Sequence, residues 1–194
     1  MWTIERFLPN WRELKIHESS PVPRGASARL KADAAGYLAT QFFPTVPPGR
    51  MHNGVRCENL EALTFSTEFL DLHVSQDVFE HILDPTAAFQ EIARTLRPGG
   101  MHIFTTPLVR KHESSQVRAR RSLDGSVELL APAEYHGNPI SADGSLVTMH
   151  WGFDIVRRIF DATGMDTTIV YLDALEMGIR AEYIEVLVSV KRGA

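Results

Sequence analysis

One cysteine, Cys57, stands in 194 residues, so no internal disulfide can form. With no basic-then-apolar leader either, the sequence reads as that of a soluble protein of a reducing compartment, expected in the cytoplasm. No apolar run approaches the roughly 18 residues that a membrane-spanning helix requires. Positive charge is also scarce: 20 Lys and Arg against 24 Asp and Glu leave a net charge of −4. That supplies no general field for nucleic acid, and the basic run at 118–121 is too short to create one. No G-x-G-x-x-G follows any strand, which disfavours a dinucleotide or nucleotide-sugar oxidoreductase. The eight histidines show no H-x-x-x-H pair with a carboxylate, so no metal site is expected. Internal repeats and low-complexity tracts are absent too.

What is present is an ordinary globular composition, 44% apolar and 23% charged. The length suits one core, and a single domain over 1–194 is expected, with a loop-rich insertion at 108–150. The clearest element is a helix over 85–97. Asp84 is a good N-cap, Pro85 suits the first turn, and Phe89, Ile92, Ala93 and Leu96 form one stripe before Pro98, Gly99 and Gly100. Extended runs flank it, "LDLHVS" before and "MHIFTTP" after. Such a unit joins parallel neighbours with right-handed sense, so it predicts an α/β fold with a doubly wound, mainly parallel, Rossmann-like sheet. Earlier pieces repeat the alternation: "ELKIHE" as a strand, "GASARLKADAA" as a helix and "MHNGVRCE" as extended chain. At the other end, "GFDIVRRIFDATG" has helical spacing and two strand-like runs follow, "TTIVYLDAL" and "YIEVLVSV". Two strands with no helix between them predict a closing antiparallel hairpin.

The stretch "FLDLHVSQDVFEHILDPTAAFQEIARTLRPGGMHIFTTP" resembles the middle of class I S-adenosylmethionine-dependent methyltransferases, in the small-molecule, type 11-like branch related to ubiquinone and menaquinone biosynthesis methyltransferases. The matching residues are Asp71, Asp77, Glu80, His81, Glu91, Arg94, Leu96, Pro98, Gly99 and Gly100. The resemblance implies S-adenosyl-L-methionine as cofactor and methyl transfer to a small-molecule or glycan-type acceptor. Binding near the first strand would fall to Glu18, Ser19 and Gly25, where Ser19, Ser20 and Pro21 replace the family's usual glycines. At the end of the second strand only Thr40 and Gln41 stand where the family has a ribose-binding acid. Loss of the glycines motivates a rival reading, a binding or scaffold protein of the same fold with weak or lost cofactor binding.

Asp77 falls at a strand's carboxyl end, where open α/β sheets bind ligands. By resemblance Asp77 and the backbone of Val78 lie near the methionine part of the cofactor; the simpler alternative is that Asp77 only caps a turn. For the adenine, Asn59 with Leu60, or else Glu58, would supply the acceptor and the ring contact, against a plain solvated loop. Glu80 reads as a brace of its loop. His81 reads either as a brace or as a group that orients substrate or takes a proton. His136, in "EYHGNP", is a candidate general base or substrate contact, against a Gly-Asn-Pro turn. His150 is a lesser candidate and Trp151 is assigned to the core. "SSQVRARRS" reads as a solvated helix face, or alternatively as a grip on an anionic group.

Overall fold

A computed structural model describes residues 1–138 and 141–193 of the chain. In chain order the elements are α1 (Trp2–Phe7), β1 (Lys15–Ser19), α2 (Gly25–Asp33), β2 (Gly36–Gln41), β3 (Met51–His52), β4 (Val55–Cys57), β5 (Leu70–Gln76), α3 (Pro85–Thr95) and β6 (Leu96–Thr105). There follow β7 (Gln116–Val117), β8 (Ala119–Arg121), β9 (Val127–Leu129), β10 (Tyr135–Asn138), β11 (Ser141–Leu146), β12 (Met149–His150), α4 (Ile155–Thr163), β13 (Asp166–Tyr171) and β14 (Glu185–Val190).

Eight strands form one sheet in the order β13-β14-β6-β5-β1-β2-β4-β3. The pairs from β6 through β4 are parallel, while β14 runs antiparallel to both β6 and β13. The expected α/β sheet with its closing hairpin is therefore the fold. The order reverses at β1, with β2 on one side and β5 on the other, and that reversal opens a crevice at the carboxyl ends of the strands.

Local chemistry sets the central unit. The Asp84 side chain accepts from the Ala87 N–H at 3.0 Å and starts α3, with Pro85 in its first turn. The helix stops at Thr95, two residues before the expected end, because Leu96 is already extended (φ −71°, ψ 141°) and pairs with Leu70 in the sheet. Gly164, at φ 72°, ends α4 in the left-handed conformation that a Cβ would penalise.

Alternation along the strands divides two cores. Ile16, Leu72, Val74, Ile103 and Val188 pack with Trp11 and Leu30 on the α1 and α2 face. Phe104 and Leu187 turn the other way, joining Phe79, Phe89 and Trp151 beneath α3 and α4. Trp151 is core, as expected, 1% exposed and donating its Nε1–H to the Phe79 carbonyl at 3.2 Å.

The segment 108–150 carries more strand than a loop-rich insertion implies: β7 to β12 pair as three two-stranded antiparallel sheets. The basic run is not a helix face. Arg120 and Arg121 lie on β8, paired with Glu128 (2.8 Å) and Glu61 (3.0 Å), and Arg118 pairs with Glu134 (3.2 Å). Short β-strand pairing overrides the helical reading because Val127–Leu129 returns alongside.

A row of histidines crosses the middle of the sheet. His17 is in register with His73, and His73 with His102; all three are at most 1% exposed. The Thr95 hydroxyl donates to the Glu91 carbonyl (2.8 Å), so it accepts from His73 Nε2–H (2.8 Å). His73 Nδ1 is then an acceptor, His17 Nδ1–H donates to it (2.8 Å), and the Thr40 hydroxyl donates to His17 Nε2 (2.7 Å). Neutral rings satisfy every link of this chain.

Candidate active site

The carboxyl ends of β1, β2, β4 and β5 border a cleft of about 920 Å³. Its walls come from the turn after β1, the residues after β2 and β4, the start of the segment after β5, and β10 with β11 of the insertion. Two non-glycine residues on its rim hold left-handed backbones, Ser20 at φ 55° and Asp77 at φ 51°. Side chains tolerate that conformation poorly, and such outliers gather at functional turns. The Ser20 N–H donates to the Thr40 carbonyl at 2.8 Å. Gly25, at φ 56°, has open space on its Cβ side and begins α2.

Glu18 lies behind this turn. Fully buried, it accepts from the Ser27 hydroxyl (2.6 Å), the Tyr37 hydroxyl (2.6 Å) and the Gln76 amide (2.8 Å). Burial first, and then the bond to Glu18, hold the Tyr37 hydroxyl well above its usual pKa. Glu18 thus ties α2, β2 and β5 together and sets the turn that lines the cleft, while Ser19 and Gly25 reach the cleft wall themselves.

Beyond β4, Glu58 is also buried. Its carboxylate accepts from Arg56 Nε (2.8 Å), the Thr64 hydroxyl and the Thr64 N–H (2.9 Å). Asn59 Oδ1 accepts from the Glu61 N–H at 3.0 Å and keeps a second lone pair. Leu60 is buried on the same wall. Of the two residues ending β2, Thr40 turns inward to His17 and Gln41 faces the cleft. Phe42, 46% exposed, and Phe43 continue that wall.

Asp77 closes the β5 end. Its Oδ1 accepts from the Thr105 hydroxyl (2.9 Å), and its N–H donates to the Thr105 carbonyl (3.0 Å). Val78 and His81 line the same wall. The His81 Nδ1 lies 2.9 Å from the Leu146 carbonyl, which fixes Nδ1 as the protonated nitrogen. Its Nε2 is 3.7 Å from Glu80 Oε1, and His136 Nδ1 is 3.9 Å from the same oxygen. The structure therefore brings His81 and His136 together, rings 5.2 Å apart, with Glu80 between them. Burial raises the Glu80 carboxyl to a pKa of about 7, and burial lowers that of His81. His150 does not join them; it pairs with Glu134 at 2.9 Å. Pro139, of the expected Gly-Asn-Pro turn, lies outside the described residues with Ile140.

The insertion is anchored beside this cluster. The Thr148 N–H donates to the Glu80 carbonyl at 2.7 Å and its hydroxyl to the Ile82 carbonyl at 2.6 Å, and Arg121 reaches Glu61 across the cleft mouth. The contacts of Glu80, Glu134 and Gln76, and the Phe42 wall, could not be found from residue spacing, since each depends on chain segments far apart in sequence.

Residues 33–104 match the family described as a methyltransferase domain. The ubiquinone biosynthesis O-methyltransferase of Parvibaculum lavamentivorans is 33% identical over 92 residues, 45% of this chain and 35% of that protein. The chain thus spans about a third of the length of that curated relative. Among solved structures, an S-adenosylmethionine-dependent methyltransferase from Mesorhizobium loti covers 98% of this chain and 96% of its own, with a TM-score of 0.57 at 16% identity. The 1,6-didemethyltoxoflavin N1-methyltransferase of Burkholderia thailandensis, with S-adenosylhomocysteine bound, covers 99% of this chain and 76% of its own (TM-score 0.53, 14% identity). Residues 33–104 thus match a methyltransferase-domain family, and the chain shares the fold of solved S-adenosylmethionine-dependent methyltransferases.

Proposed function

We propose that the chain is an S-adenosylmethionine-dependent methyltransferase acting on a small-molecule acceptor. The observation that carries this reading is the cleft at the carboxyl ends of β1, β2, β4 and β5, roomy enough for a nucleoside joined to an amino acid and lined by most of the residues singled out in the sequence, though not by Glu18 or His136. When bound, the cofactor supplies an electrophilic methyl group on sulfur. The residues around it need to bind, orient and exclude water, because aligned displacement gains most of its rate from positioning.

In this reading the turn Ser19–Gly25 lies against the methionine portion. Gln41 offers its amide to the ribose hydroxyls in place of an acid, and Phe42 and Leu60 flank the adenine, with Asn59 Oδ1 as acceptor for its amino group. Asp77 and Val78 complete the methionine end, and His81 and His136 face the acceptor. Where that acceptor is a hydroxyl, its proton must leave, and the Glu80–His81–His136 group is the basic cluster at hand.

Calorimetric titration with S-adenosylmethionine and S-adenosylhomocysteine tests the reading; heat with neither would favour a scaffold protein of the same fold. Asp77→Ala removes a carboxylate from the rim and should weaken cofactor binding about tenfold, the equivalent of about 1.4 kcal/mol and of one hydrogen bond to a charged group. Unchanged affinity in that variant would remove Asp77 from the binding wall.

A further inference from the structure

The cluster around Glu80 has a donor arrangement that a proton network alone leaves incomplete. Glu80 is 2% exposed. Its Oε2 accepts from the Thr106 hydroxyl at 3.0 Å, and its Oε1, also buried, has no hydrogen-bond partner among the described residues. One nitrogen of each of two imidazoles lies near that oxygen, at 3.7 and 3.9 Å. His81 spends its Nδ1–H on the Leu146 carbonyl, so the neutral ring presents a bare Nε2, 3.7 Å from Glu80 Oε1. His136 has Nε2 3.6 Å from Glu134 Oε1, and Glu134 is in turn held by Arg118 (3.2 Å) and His150 (2.9 Å). With its Nε2 on the Glu134 side, His136 has Nδ1 toward Glu80 Oε1 at 3.9 Å. One ligand atom from each of Glu80, His81 and His136 lies within 4.8 Å of the others.

A buried carboxylate oxygen and two imidazole nitrogens facing one point need a proton or a cation between them. His81, moreover, has its far nitrogen tied to the Leu146 carbonyl, the outer-shell pattern that fixes the tautomer of a metal-ligating histidine, and the far nitrogen of His136 lies 3.6 Å from the Glu134 carboxylate. We propose that Glu80, His81 and His136 form a site for a divalent first-row transition ion. Two nitrogen donors and one oxygen select Zn²⁺ or Co²⁺ over Mg²⁺ or Ca²⁺, which favour all-oxygen shells. Bonds of about 2.1 Å require neighbouring donors about 3.0–3.4 Å apart, so donors within 4.8 Å of one another must close by up to about 1.4–1.8 Å. His136 can supply that movement, since its side chain is 40% exposed on β10.

His81 lines the cleft, and so do Gly137 and Asn138 next to His136, so the ion's remaining positions open toward the cleft. There it would hold an acceptor oxygen and lower the pKa of its proton. That role rests on the methyltransferase reading; binding of the ion does not.

The test uses the whole chain after chelator dialysis, titrated with Co²⁺ and followed by its visible d–d absorption, and with Zn²⁺ and Mg²⁺ by calorimetry. One equivalent of Co²⁺ and of Zn²⁺ should bind, Mg²⁺ should not compete, and His136→Ala and Glu80→Gln should each weaken Zn²⁺ at least tenfold while circular dichroism shows both folded. Absence of stoichiometric binding, or wild-type affinity in His136→Ala, overturns the site and leaves a shared proton between Glu80 and His81 only. Should Glu80→Gln fail to fold, His136→Ala decides alone. Binding of S-adenosylhomocysteine to the metal-free wild type is measured in parallel, so a failed cofactor reading is scored separately from a failed ion site.

Discussion

Acidification from about pH 7 to about pH 4 is expected to unfold the protein, because three buried histidines refuse protons that the unfolded chain accepts. Burial lowers His17 and His102 from 6.5 to about 3, and Arg56 adds to the effect at His17. Burial, then the neighbouring rings, put His73 well below the same value. Each folded-state pKa therefore lies under the unfolded one. For His17 and His102 the stabilisation is complete above about pH 6.5 and drains away as the pH falls toward about 3, at about 1.4 kcal/mol per pH unit for each ring, and His73 acts in the same direction. Glu80, raised to about 7, works in the opposite sense and offsets roughly one histidine down to its unfolded value of 4.5. The two uncompensated rings alone remove about 3 kcal/mol per unit, against a total stability of about 5–15 kcal/mol. Melting temperatures by circular dichroism from about pH 7.5 to about pH 4 measure this slope. His102→Phe, set beside Phe79 and Phe104, removes one ring and should flatten the slope by about 1.4 kcal/mol per pH unit. An unchanged slope would mean that His102 accepts a proton in the folded state.

Glu18→Ala is expected to cost about 3 kcal/mol or more, since it strands the Ser27 hydroxyl, the Tyr37 hydroxyl and the Gln76 amide together. Ser27 is buried and has no route to water, whereas Tyr37 and Gln76 are partly exposed and recover some solvation. Glu18→Gln keeps one acceptor oxygen but turns an NH₂ toward donors, so an intermediate loss is expected. Urea unfolding measures both, with an unchanged m-value separating loss of stability from loss of compactness. Cofactor affinity should fall as well, because the turn after β1 and the end of β5 share this anchor. A loss below about 0.5 kcal/mol in Glu18→Ala would show that the three donors find other partners.

The fold was readable where one local signal sufficed. Asp84, Pro85 and the stripe through Phe89 and Ile92 mark α3, and Gly164 marks the end of α4, because caps and periodicity act over a few residues. The helix end slipped by two positions where Leu96 joined the sheet, a tertiary pairing that propensity does not contain. The β8–β9 hairpin escaped for the same reason: Arg118, Arg120 and Arg121 look like a solvated helix face until Glu128 and Glu134 come alongside. The histidine row left a trace, one histidine in each of the strand runs "KIHES", "LDLHVS" and "MHIF", but its meaning depends on strand register. The Glu80–His81–His136 cluster left less, since its two histidines are far apart in the chain and meet only through the insertion. Glu18 shows the same limit: its acid was legible, while its engagement with Ser27, Tyr37 and Gln76 needed coordinates.

A crystal of the chain grown with S-adenosylhomocysteine, at a concentration saturating by calorimetry, tests the central claim most directly. The expected map has the adenine between Phe42 and Leu60, the ribose beside Gln41, and the amino-acid end between the Ser19–Gly25 turn and Asp77. A nucleoside bound elsewhere, or a cleft closed by Phe42 and His81 with no titratable binding in solution, would contradict it.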